Sequence, residues 1–205
     1  SDVFAFWMAY HSLSFPEALS DLAERYNVQL PEKHFTAEEK KKADYRETLY
    51  KINELATIYF QKELAHPAKG KPGRDYFKRR SISHSIIEEF HLGYAPKGWD
   101  GLKQFLLSKK VSLETAFAAG VLKRSDKGHY YDLFRERVMF PIMDLTQKKR
   151  VIGFGGRVLD DTLPKYVNTP ETPLFHKGTC LYGFDASRKA IRETGRAIVV
   201  EGYMD

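Results

Sequence analysis

The sequence predicts an α+β protein: helical amino-terminal segments, then a core that mixes short helices with an antiparallel sheet, then the start of an α/β unit. Three observations carry that expectation. Apolar residues recur at helical spacing through the opening segments. Val138-Met139-Phe140-Pro141-Ile142, the stretch Val151 to Leu159 and Lys165 to Asn168 look like strands joined by polar turns. Ala197-Ile198-Val199-Val200 reads as a buried strand running into Glu201-Gly202.

Taken in order, the chain opens apolar from Val3, without an initiating Met, as an element whose packing partner lies elsewhere. Ser14-x-x-Glu17 forms a capping box, in which each side chain satisfies a free backbone N–H of the first turn, and a short helix follows to Tyr26. A second box, Thr36-x-x-Glu39, starts a longer helix with Tyr45, Leu49, Ile52, Ala56, Tyr59 and Phe60 on one side, broken by Pro67. Its Lys40-Lys41-Lys42 run reads as a solvated face. Gly70-Lys71-Pro72-Gly73 reads as a linker, because two glycines and a proline oppose helix and strand alike. From Arg74 to Gly120 short helices are expected, capped by Ser83 and Ser112 and stopped by Gly93 and Gly120. After the strands, Ala186 to Thr194 reads as a helix that Gly195 stops.

Composition narrows the function. The 205 residues are 42% hydrophobic with a mean hydropathy of −0.48, which suits one domain or two modest ones and excludes a disordered tail. No run approaches the ~18 apolar residues that cross a bilayer, and no signal peptide opens the chain; a cytoplasmic protein with no membrane partner is expected. The single Cys180 excludes an internal disulfide and, with seven scattered histidines, a four-ligand zinc site. Thirty-three basic against 27 acidic residues, with a pI near 9.2, favour an anionic partner.

Glu201-Gly202-Tyr203-Met204-Asp205 is the sharpest local feature, since an apolar strand delivers one carboxylate into a glycine turn and a second follows. Such oxygen donors suit Mg²⁺ or Mn²⁺, with Glu201 as the direct ligand; the bland alternative is a surface turn. Gly153-Phe154-Gly155-Gly156-Arg157 lies among strand residues and opens no helix, so it is not a dinucleotide loop. Its glycines permit close backbone approach and place Arg157 against a nucleic-acid backbone or, equally, at a packing kink. Lys165-Tyr166-Val167-Asn168 and the following segment to Lys177 combine phosphate-neutralising, stacking and hydrogen-bonding groups suited to a polynucleotide. A blunted edge strand explains them as well. In Lys78-Arg79-Arg80, Arg80 is the candidate phosphate clamp and the rest is solvated charge. Arg135-Glu136-Arg137 reads as an internally compensated ion pair, and His176, with no carboxylate expected beside it, is given no catalytic role.

The segments SFPEALSDLAERYNVQLP, YFKRRSIS, LGYAPKGWD, FRERVMFPI, VIGFGGRVL, PKYVNTPETPLFHKG, LYGFDASRKAIRE and AIVVEGYMD, in this order, resemble the bacterial replicative DNA primases, the DnaG-like enzymes that synthesise RNA primers. The resemblance implies a division into the helical end of a zinc-binding domain (1–31), a connecting helix and linker (32–73), the amino-terminal part of the RNA polymerase domain (74–192) and the beginning of a TOPRIM subdomain (193–205). It implies Mg²⁺-assisted nucleotidyl transfer on single-stranded DNA, with Glu201 holding metal and Asp205 supporting it. DNA- or nucleotide-facing roles fall on Arg80, Arg157, Lys165, Tyr166, Asn168 and Lys177, the residues already singled out by their chemistry. Zn²⁺ would belong to ligands upstream of this chain. NTPs, an RNA primer and, through a carboxyl-terminal domain beyond Asp205, a replicative helicase are the implied partners. The isolated chain is then expected to be inactive as a truncated piece. Two departures stand out: Leu133 and Met143 occupy positions where relatives often carry basic residues. A TOPRIM-type nuclease or topoisomerase fragment, and a non-catalytic single-stranded-DNA-binding replisome module, remain the alternatives.

Overall fold

The computed structural model describes residues 2–11, 13, 15–29, 36–144, 149–160 and 162–204. The chain divides into two compact units, residues 1–41 and 42–205. The first contains α1 (Val3–His11) and α2 (Phe15–Arg25). Among its described residues Ala18, Leu22 and Ala23 are buried. Trp7 Nε1 donates to Asp21 at 2.7 Å, and the Arg25 guanidinium sits 5.0 Å over the Trp7 ring. Ser14 and the Glu17 side chain, the expected capping box of α2, lie outside the described residues. The second box forms as the sequence dictates: Thr36 N donates to Glu39 Oε2 at 2.8 Å and Glu39 N to Thr36 Oγ1 at 3.2 Å, at the start of α3 (Ala37–Ala65).

In the second unit, α3 buries Leu49, Ile52, Ala56, Tyr59 and Phe60 of the expected stripe and adds Leu64 one turn on, whereas Tyr45 at the near end of that stripe is exposed. Then come α4 (Lys71–Arg79), α5 (His84–Glu89), β1 (Gly93–Ala95), α6 (Gly101–Ser108), α7 (Leu113–Ala118), β2 (Leu122–Arg124), β3 (Tyr130–Asp132), β4 (Arg137–Met143), β5 (Val151–Val158), β6 (Tyr166–Asn168) and, after a short 3₁₀ turn, α8 (Phe184–Thr194). Strands β1-β4-β5-β6 form one antiparallel sheet in that order, and β2 and β3 pair separately. Ser83 and Ser112 cap α5 and α7 by accepting from Ile86 N and Thr115 N. Gly120 and Gly195 close α7 and α8 in the left-handed conformation. Among the described residues no helix is long and apolar enough to cross a membrane.

Three local expectations are corrected. Lys71-Pro72-Gly73 is not a linker but the first turn of α4, with Pro at a position that needs no N–H. Arg74 ties that turn to the end of α3 by donating to the carbonyls of Leu64, His66 and Pro67. Gly93 does not stop a helix; His91 takes the left-handed turn (φ 51°) after α5, and Gly93 starts β1 because a Cβ there would stand 2.5 Å from Phe60 Cβ and 2.9 Å from its carbonyl carbon. Gly93→Ala is therefore expected to destabilise the fold by about 1–3 kcal/mol, read from the urea midpoint, and an unchanged midpoint refutes that close approach. Finally, Ala197 to Val200 is no strand. Ile198 and Val199 are 90% and 84% exposed, since no neighbouring strand among the described residues pairs their backbone groups.

Strand alternation gives the main sheet two chemically different faces. Met139, Phe154 and Val167 pack toward α3, where Phe60, Phe134 and Phe154 meet edge to face at 5.5 to 6.2 Å. Val138 and Phe140 face the other way, against Tyr76 and Phe77 of α4. Arg157 pairs with Val138 and Tyr166, and Gly155 with Phe140 and Asn168, so those side chains share the α4 face.

Candidate nucleic-acid interface

Register thus brings Arg157, Tyr166 and Asn168 onto one face, and α4 adds Arg80 beside them. The Arg157 guanidinium lies 5.3 Å from the Tyr76 ring centre and 5.6 Å from that of Tyr166, and its Nε donates to Tyr166 Oη at 3.1 Å. Arg79 and Arg80 each stand 5.8 Å from the same Tyr76 ring. Tyr76 is buried, and its hydroxyl has no hydrogen-bond partner among the described residues. Three guanidinium groups around one aromatic ring repel one another, while the ring quadrupole holds each in place. Such a grouping is relieved by a polyanion, to which arginine donates bidentately.

Asn168 is fixed by the acidic turn. The Tyr203 hydroxyl donates to Asn168 Oδ1 at 2.8 Å, leaving the amide nitrogen to donate elsewhere. Tyr203 fits only because position 155 is glycine: a Cβ there would meet the Tyr203 ring at 2.5 Å. The ring stacks on Phe140 at 5.0 Å and 13°, and burial raises the phenol above its ordinary value, so it remains a donor at neutral pH. The glycine run therefore serves close approach.

A cleft of about 630 Å³ opens next to this face, lined by Tyr166, Asn168, Lys177, Tyr182, Glu201 and Tyr203 among others. Lys177 lies exposed in a 3₁₀ turn whose backbone N donates to Glu171 Oε1 at 3.0 Å. Glu171 Oε2 also meets His176 Nδ1 at 3.0 Å, so a carboxylate does stand beside that histidine, contrary to expectation. The Lys177 N–H and then the His176 ring hold the Glu171 carboxyl below the usual range. Lys165 is exposed just before β6, where its carbonyl accepts from Val158 N at 3.1 Å.

Glu201 is exposed at the cleft, and Asp205 lies outside the described residues. Among the described residues no group of three His, Cys, Asp or Glu side chains stands together to hold an ion. Glu201 supplies the hard oxygen donor that Mg²⁺ takes, and so fits as a contributor to a cation site, not as a whole one.

Sequence reasoning missed a second surface. Trp99 is 60% exposed, and the Arg135 guanidinium lies 4.0 Å over its ring and 5.6 Å from Tyr131, which meets Trp99 at 5.5 Å. The Arg135-Glu136-Arg137 run is not internally paired: Glu136 approaches Lys97 at 4.0 Å, and Arg137 is buried with a bond to the Lys165 carbonyl. An arginine next to a run of apolar strand residues, with a tryptophan upstream in Gly98-Trp99-Asp100, was the available signal. Leu133 is buried in the α3 core.

An antiparallel sheet with a cationic and aromatic face, backed by a helical layer, defines the class: an α+β domain with one basic, aromatic sheet face. The chain belongs to the family of the DNA primase catalytic core, N-terminal domain, whose pattern matches residues 59–188. It is 45% identical to the DNA primase of Deinococcus radiodurans over all of its own length, spanning 34% of that relative. The structure of a DnaG primase catalytic domain bound to ssDNA superposes with a TM-score of 0.71 at 43% identity, over 79% of this chain and 51% of that one. The crystal structure of the Aquifex aeolicus primase, comprising zinc binding and RNA polymerase domains, is 33% identical and covers 100% of this chain and 47% of that one at a TM-score of 0.68. The mixed helical and antiparallel architecture expected from sequence is thus that of the DnaG catalytic core.

Proposed function

We propose that this chain is the template- and nucleotide-handling part of an enzyme that synthesises RNA primers on single-stranded DNA. The observation that carries the reading is the gathering of Arg79, Arg80 and Arg157 around Tyr76, on the sheet face that leads through Tyr166 and Asn168 to Lys177 and Glu201. Arg80 and Arg157 bind backbone phosphates, Tyr166, 39% exposed, offers a ring to a base, and Asn168 donates its amide N–H to a sugar or base acceptor. Lys165 and Lys177 neutralise phosphate charge along the cleft. Trp99 with Arg135 offers a second, separate stacking platform. The single-stranded DNA in the related DnaG structure supports this reading.

Glu201, with Asp205, is the proposed carboxylate pair for Mg²⁺ or Mn²⁺. A bound ion of this kind would supply electrostatic stabilisation of phosphoryl oxygens while a 3′-hydroxyl attacks the α-phosphorus of an NTP and pyrophosphate leaves. This chain's residues bind and orient: the Tyr203 anchor sets the Glu201 turn against the sheet, and Lys177 balances triphosphate charge facing it. Residues 1–31 are read as the helical end of a zinc-binding domain, 32–73 as the connection, 74–192 as the polymerase domain's amino-terminal part and 193–205 as the start of the TOPRIM subdomain. The alignment of the whole chain with the two-domain Aquifex structure supports that division. Zn²⁺, the replicative helicase and a cytoplasmic replisome belong to the same proposal for the longer protein.

The test uses a polypeptide carrying this chain at the full length of its relatives, a single-stranded template, labelled NTPs and Mg²⁺. Template-dependent incorporation is expected, and Glu201→Gln is expected to lower it at least about 10²-fold, the scale of losing a transition-state electrostatic group, while single-strand affinity stays within about twofold. Nicking of DNA without incorporation refutes primer synthesis, and full activity of Glu201→Gln removes Glu201 from the site.

A further inference from the structure

Asp132 closes β3, is 4% exposed, and sits where four hydrogen bonds converge. Its backbone N–H donates to the Trp99 carbonyl at 2.8 Å, and its own carbonyl accepts from Arg135 Nη1. Its carboxylate oxygens accept from the backbone N–H groups of Leu102 at 2.8 Å and Lys103 at 2.9 Å in the first turn of α6. Asp100, the N-cap of that helix, makes no side-chain capping bond. We propose that Asp132 is a positioning residue of the nucleic-acid interface: by clamping the segment from Trp99 to Lys103 onto β3 and receiving Arg135, it sets Trp99 and Arg135 as one stacking surface for single-stranded DNA. This rests on the reading of that surface as part of the template path.

A helix cap alone does not call for such a residue. Ser83 and Ser112 cap α5 and α7 from exposed positions with a single hydroxyl each. Asp132 is instead a buried ionisable group. The groups facing it are Tyr59 from α3, with Glu63 beside that phenol, and Asp100 and Lys103 from α6. Burial raises its carboxyl from 3.8 to about 6, against the opposing effect of the Leu102 and Lys103 N–H groups. Because the folded value lies above the ordinary one, the fold is favoured at acid pH and loses that increment as pH rises through about 6. The ionised carboxylate is therefore held at a cost to stability, in return for a geometry that two donors impose. Asparagine offers one amide oxygen to those two donors and turns its own N–H₂ against the other.

The experiment uses the chain carrying Trp7→Phe, which leaves Trp99 as the sole tryptophan, with an oligothymidylate as probe. Asp132→Asn is expected to melt cooperatively yet bind about tenfold more weakly, on the scale of one lost stacked base. Trp99→Ala is expected to lose as much, and the double variant no more than Trp99→Ala alone, because both changes remove the same surface. Losses that add, or Asp132→Asn binding like its parent while Trp99→Ala weakens, overturn the positioning role and leave the platform standing. Trp99→Ala binding like its parent overturns the platform reading and the inference with it. Should Asp132→Asn fail to fold, Asp132→Glu decides, since it keeps the carboxylate but shifts it by one methylene: weaker oligothymidylate binding at an unchanged melting temperature is expected, and binding like its parent overturns the proposal.

Discussion

Phe60→Ala is expected to cost the second unit about 3–5 kcal/mol, the range for emptying a fully buried aromatic site. Phe60 is 2% exposed, and its ring meets Phe134 at 89° and Phe154 at 78°, the edge-to-face geometry that adds to area burial. It is the contact through which the longest helix grips the back of the main sheet, so little else can collapse into the void. A fall in melting temperature of about 10 °C or more is expected, with a shifted urea midpoint and an unchanged slope. Below the transition, single-strand affinity is expected to hold, because the cavity opens on the face away from Arg157 and Tyr166. A loss under about 1 kcal/mol would show that the α3 face is not the main core. The alanine does not relieve Gly93→Ala, since that clash is with the Cβ and backbone of Phe60, not its ring.

Reversing both lysines, Lys165→Glu with Lys177→Glu, is expected to weaken single-stranded DNA binding about 10²-fold near 0.1 M salt. It should also flatten the dependence of log affinity on log salt by about 1.4, from two lost phosphate contacts at about 0.7 each. Both residues are exposed, so the fold is expected to survive, and equal melting temperatures check this. The magnitude exceeds that of neutral replacement because each change also places a carboxylate along the cleft already occupied by Glu201. Superimposable isotherms at two salt concentrations would remove the lysines from the interface and leave the arginine cluster to carry it.

Much of the local structure was legible because its signals act over three or four residues. The Thr36 and Glu39 box, the Ser83 and Ser112 caps and the left-handed Gly120 and Gly195 all stand where hydrogen-bond and steric rules put them. The misreadings share one cause, a residue whose neighbours are distant in sequence. Gly93 looks like a helix stop but makes room for Phe60. Lys71-Pro72-Gly73 has the composition of a linker, yet Arg74 binds the turn to the carbonyl of Leu64 in α3 and to those of His66 and Pro67 just after it. Ala197 to Val200 has the apolar content of a buried strand, but a strand exists only with a paired neighbour. Of the residues in the proposed interface, Arg157, Tyr166, Asn168 and Lys177 were singled out in the sequence by side-chain chemistry, whereas Trp99 and Arg135 were not, since neither gains meaning until the other lies 4.0 Å away.

By itself, then, the amino-acid order determined the long α3 helix, the capped starts of α5 and α7, the glycine ends of α7 and α8, the strand character of β4 to β6 and the family of the chain, because caps and periodicity depend on near neighbours. Only the tertiary structure decided which cations gather into a surface and which are spent in packing. Three arginines converge on Tyr76 while Arg137 is buried on the interior strand β4. That choice follows from strand register and from the burial of α3 and α4 on opposite faces, where the energy of removing apolar area from water outweighs any local preference.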